Sequence, residues 1–129
     1  MSCTISIRSA SNDAANSPLA NNVIAMAAAL RKATQSGRLP AGPALDITFM
    51  LPGKLEKPDF AGMRMGGYTS GENTLYFERA VPDALLYSAE ASEFVKVVLE
   101  DAIDNAAEYF AGEGSSFDRV AWRKALAQL

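Results

Sequence analysis

The stretch GMRMGGYTSGENTLYF, residues 62–77, decides the fold. It is either a glycine-rich loop that cradles a phosphate or a turn between two strands. A dinucleotide fingerprint needs Gly-x-Gly-x-x-Gly after a strand and opening a helix, whereas GMRMGG runs into YTSGENTLYF, whose far side is strand-like. A Walker loop needs Gly-Lys followed by Ser or Thr, and the pair Gly53-Lys54 is followed by Leu55. Neither phosphate reading holds. TSGEN offers Gly71 and Asn73, residues that tolerate positive φ, between the segments 63–69 and 74–79. The stretch therefore reads as a β-hairpin, with Gly66 and Gly67 marking a bulge in its first strand.

Outward from this hairpin the pattern stays simple. Upstream, LDITFML alternates Leu45, Ile47, Phe49 and Leu51 against Asp46, Thr48 and Met50, a strand ended by Pro52-Gly53, and KLEKPDFAG is a charged loop. At the start, CTISIR places Cys3, Ile5 and Ile7 on one face and Thr4, Ser6 and Arg8 on the other. A polar loop follows, and Ser17-Pro18 then opens a helix whose apolar positions Leu19, Val23, Met26, Ala27 and Leu30 recur at helical spacing until Gly37 stops it. Downstream, Val81-Pro82-Asp83 begins a short helix through Leu86, and Ser88 caps a long one running to about Ala111 and closed by Gly112. Asp118 caps a last helix, with Phe117 and Trp122 spaced as a hydrophobic staple. The expected order is β-α-β-β-β-α-α-α. Strands that run together and are followed by helices predict an α+β domain: an antiparallel-rich sheet of about four strands with helices on one face, residues 1–129 forming a single domain.

Composition narrows the chemistry. A chain of 129 residues, 49% hydrophobic and 21% charged, has the make-up of one globular domain with a self-sufficient core. Histidine is absent, which removes Ser-His-Asp and Cys-His nucleophilic catalysis and histidine metal ligands. The lone Cys3 excludes an internal disulfide and fits a reducing compartment. Fifteen acids against twelve bases give a net charge of -3, so nucleic acid is not an expected partner. No apolar run approaches a membrane span, and the first residues lack the basic start and apolar core of a signal peptide, so a cytoplasmic, membrane-free protein is expected.

The charge is concentrated. Projected at about 100° per residue, Phe94, Val95, Val98, Leu99, Ala102, Ile103, Ala106 and Phe110 form the apolar face of the long helix. Glu90, Glu93, Glu100, Asp101, Asp104 and Glu108 gather opposite, so residues 90–108 carry -5 with Lys96 as their one base. Repulsion between like charges at i and i+4 disfavours the helix by a few tenths of a kcal/mol per pair, so Glu100, Asp104 and Glu108 invite a compensating surface. A solvated helix face is the plain alternative. EDAID resembles the Asp-Asp-x-x-Asp magnesium motif of terpenoid synthases, but those are large all-helical enzymes and the first acid here is Glu100; neither a metal nor a cofactor is expected.

The segments LDITFMLPG and PDFAGMRMGGYTSGENTLYFERAVP, the long helix and FDRVAW, together covering residues 45–126, resemble the immunity proteins of bacterial polymorphic and contact-dependent toxin systems. The resemblance implies a small cytosolic α+β protein that binds a cognate toxin domain stoichiometrically and neutralises it. Many such toxins are basic nucleases, which an acidic face would suit. It supplies no motif that transfers residue by residue, so the partner-binding candidates come from the charge pattern: Glu93, Glu100, Asp101, Asp104 and Glu108. On this reading the chain is not an enzyme. Two alternatives belong to other classes. A secretion chaperone would be small, acidic and dimeric around an apolar surface; a small ligand-binding domain or enzyme would use Lys54, Arg64, Tyr68 or Glu72.

Overall fold

The computed structural model describes residues 3–9, 12–40, 42–51, 74–112 and 117–129. Its elements are β1 (Cys3–Arg8), α1 (Asn12–Ala15), α2 (Pro18–Gln35), β2 (Ala44–Met50), β3 (Thr74–Ala80), a 3-10 turn (Asp83–Leu85), α3 (Ala91–Gly112) and α4 (Arg119–Ala127). The short α1 falls where the sequence reads as loop.

The sheet corrects the expected topology. Its three described strands lie in the order β1-β2-β3 and both pairings are parallel. Ala44 lies opposite Thr74 and Met50 opposite Ala80, so the chain enters β3 in the same direction as β2 and the antiparallel-rich sheet of about four strands is overturned. The segment 63–69, expected as the hairpin's first strand, lies outside the described residues. Residues 51–73 separate the paired strands, well beyond the dozen or so that a parallel connection needs. Alternation of period two is unchanged when a strand is reversed, so TLYFERA pairs in either direction on pattern alone.

Register aligns the strands by face. Cys3, Leu45 and Leu75 form one cross-strand level, Ile5, Ile47 and Phe77 the next, and Ile7, Phe49 and Arg79 a third. The apolar ones join the buried cluster contributed by α2 and α3, with Ile7 packed at its edge; the two helices pack on the strands and on each other, α2 chiefly on β1, while α3 touches β2 and β3, and α4 packs on α3. Thr4, Asp46 and Tyr76, then Ser6, Thr48 and Glu78, point to the opposite face.

Local chemistry sets the helix ends. The buried Ser17 hydroxyl donates to Ala14 O at 2.6 Å and accepts from Ala20 N at 3.3 Å, capping α2. At the other end Gly37 takes φ 68°, Arg38 N donates to Ala33 O and Gly37 N to Thr34 O, the paired bonds of a Schellman motif that glycine alone enters without strain. In α4 the Asp118 carboxylate accepts from Ala121 N at 3.0 Å. Trp122 is fully buried and stacks on Phe117 at 5.6 Å, which stacks on Phe110 at 5.8 Å, so the staple continues into an aromatic column joining α4 to α3.

Candidate functional site

The outward side of α3 holds the five candidate acids, and the structure divides them. Asp101 accepts from Arg79 Nη2 at 3.1 Å. Arg79 is buried on the helix-covered face of β3, its side chain 8% exposed against 43% for Asp101. A guanidinium in that position needs an anion, and α3 supplies one. Asp104 is gripped from the other side: Arg123 Nη2 donates to both its carboxylate oxygens at 2.8 Å, and Arg119 Nε lies at 3.6 Å. Two of the five acids therefore tie α3 to β3 and to α4. The hydrogen bond from Arg123 to Asp104, then the charge of Asp104, and more distantly that of Glu100, hold the exposed Arg123 guanidinium above its ordinary value.

Glu93, Glu100 and Glu108 remain exposed, and Val97 is exposed among them, 40% accessible. Glu93 and Glu100 stand about one turn to either side of Val97 along the helix, and Glu108 about three turns beyond it on the same side. The outward face of α3 thus sets an apolar spot between two carboxylates, with Lys96 at its border.

Beside this face, α2, α3 and α4 enclose a cleft of about 180 Å³. Met26, Leu99, Ile103 and Leu126 form its apolar floor, and Lys96, Glu100 and Arg123 stand at its rim.

The first turn of α2 follows β1 and is where a nucleotide-binding βαβ unit would present free N–H groups to a phosphate. Here Leu19 N donates to Leu86 O at 3.0 Å and Ala20 N to the Ser17 hydroxyl, so these donors are spent inside the fold. On the polar sheet face, burial raises the Asp46 carboxyl above the ordinary carboxylate range while a hydrogen bond from Thr4, its register partner, opposes the rise. The Cys3 thiol is buried and, through desolvation and then the nearby Asp46 charge, is pushed up to about 12, far from the thiolate a nucleophile needs. Lys54, Arg64, Tyr68 and Glu72 lie outside the described residues. Among the described residues no group of three His, Cys, Asp or Glu is placed to hold a metal ion, and no helix is long and apolar enough to cross a membrane.

Sequence reasoning missed Arg79 and the clamp on Asp104. The first was legible: in TLYFERA the inward parity that selects Leu75 and Phe77 also selects Arg79. The second required knowing that α4, with Arg119 and Arg123, packs on the acidic side of α3. Comparison with protein-family models, curated proteins and solved structures finds no match to this chain.

Proposed function

We propose that the chain is a protein-binding module, a stoichiometric inhibitor that neutralises a cognate bacterial toxin domain and contacts it through the outward face of α3. The observation that carries the reading is the exposed Val97 flanked by the exposed carboxylates Glu93 and Glu100, with Glu108 farther along the same side of α3. An apolar spot flanked by charges suits a protein interface, the spot contributing desolvated contact and the carboxylates steering a basic surface toward it. Asp101 and Asp104 serve this surface indirectly by fixing how α3 sits on β3 and α4. The resemblance to immunity proteins supplies the partner class.

The test begins with capture of partners from the native lysate at low and high salt, identification by mass spectrometry, and purification of the captured toxin domain. Reversing Glu93 and Glu108 to Lys is expected to slow association with that domain roughly tenfold at low salt and to weaken neutralisation. An unchanged association rate and full neutralisation by the reversed variant would remove α3 as the interface. Capture of no basic partner at either salt would remove the inhibitor reading itself.

A further inference from the structure

The cleft between α2, α3 and α4 presents two kinds of surface at once. Its floor, Met26, Leu99, Ile103 and Leu126, is aliphatic or thioether throughout. Its rim carries Lys96 and Glu100, one turn apart on α3, and Arg123 from α4, close enough to Glu100 for the two charges to interact. Asp104 engages Arg123 through Nη2, which leaves Nε and Nη1 for a further acceptor. All three rim residues are exposed, so a ligand reaches them without opening the core. A volume near 180 Å³ makes room for one small molecule.

Charges of both signs over an apolar floor complement a small zwitterion with an aliphatic tail. We propose that this cleft binds a free aliphatic α-amino acid of leucine size, its side chain on the floor, its ammonium at the Glu100 carboxylate and its carboxylate at Lys96 and Arg123. A fatty acid would set its one charge against Glu100, and an alkylamine would set its charge against Lys96 and Arg123. Glycine would leave the floor to water. The proposal stands independently of the toxin-binding reading, and its test needs no protein partner.

Amide and methyl NMR spectra of the full chain are titrated with L-leucine, and in parallel with glycine, isocaproate and isoamylamine, which lack the tail, the ammonium and the carboxylate respectively. The expected result is a saturable shift with leucine at the Leu99, Ile103 and Leu126 methyls and the Lys96 and Glu100 amides, in the millimolar range. Each analogue binds about threefold or more weakly. Glu100→Gln erases the preference for leucine over isocaproate, and Ala127→Trp, which fills the cleft from its lining, abolishes the leucine shifts while the rest of the spectrum shows the fold intact. The proposal is overturned if leucine gives no saturable shift at tens of millimolar, if the shifts fall elsewhere, if the three analogues bind as well as leucine, or if leucine still binds the Ala127→Trp variant.

Discussion

The two faces of the sheet are built by the same three strands and held by different physics. On the inward face Ile5, Ile47 and Phe77, then Ile7, Phe49 and Arg79, meet α2 and α3, and the one charged group among them is matched by Asp101. On the other face Thr4, Asp46 and Tyr76, then Ser6, Thr48 and Glu78, form polar levels that range from exposed on β1 to half-buried on β2 and β3. All-parallel sheets are usually apolar on both faces because helices cover both. Among the described residues this one keeps the apolar-polar alternation usual for a sheet with one covered face, and its strands read as antiparallel because residues 62–77 read as a hairpin and the strands run together before the helices. Strand direction and face chemistry are separate variables, and the second does not report the first.

The contrast is sharpest under truncation. Phe49→Ala on the inward face is expected to cost about 3–5 kcal/mol of unfolding free energy, while Thr48→Ala, its neighbour on the polar face, stays within about 0.5 kcal/mol. Urea denaturation of the two variants measures the difference, and equal losses would mean the faces are buried alike.

Next in size is the inward charge. Asp101→Ala strands the Arg79 guanidinium in the core and is expected to cost about 2 kcal/mol, below the range for a fully buried pair because the Asp101 side chain is 43% exposed. Adding Arg79→Met should recover most of that loss, since the cost lies in the unpaired charge and not in the contact. A double variant as unstable as the single one would refute this account.

A smaller effect comes from Cys3. Its folded value near 12 exceeds its ordinary 9.0, so above 9.0 the unfolded chain releases a proton that the folded chain retains. The stability due to this group is complete below 9.0 and is lost as pH rises toward 12. At pH ~10 the loss is about 1.4 kcal/mol, and Cys3→Ala should remove that part of the alkaline slope in denaturation curves collected as a function of pH. The same burial predicts that thiol reagents label the native chain only through unfolding.

The smallest effect belongs to the polar face. Burial raises the Asp46 carboxyl above 3.8 in the fold, so this group's contribution to stability falls as pH rises through the window from 3.8 to the raised value. Asp46→Asn is therefore expected to leave stability at neutral pH unchanged or higher by less than about 1 kcal/mol, and to remove this group's fall with rising pH, leaving the rest of the acid limb steeper. A clear loss at neutral pH would show that the charged Asp46 is needed by the fold.

Much of the local structure was written in short-range chemistry. Ser17-Pro18 and Gly37 bracket α2 because capping needs only the few residues at each end, and both ends are occupied by the residues that the bonds require. Asp118 and Trp122 behave likewise at α4. The direction of β3 was not legible because it depends on the path between strands, which alternation does not encode. Of the candidate site, Glu93, Glu100 and Glu108 are exposed as a helical projection places them, whereas the engagement of Asp101 and Asp104 depends on partners 22 and 19 residues away in sequence. A charge stripe read on one helix omits the countercharges that tertiary packing brings to it.

The aromatic column of Phe110, Phe117 and Trp122 has an optical consequence. Trp122 is the chain's one tryptophan and is fully buried between α3 and α4, so the intrinsic fluorescence of the protein is that of a single shielded indole. Release of α4 would expose that ring to water and shift its emission to longer wavelength even with the sheet and α2 still in place. The chain thus carries its own reporter for the docking of its last helix, one that, set against circular dichroism of the remaining helices and sheet, separates release of α4 from global unfolding.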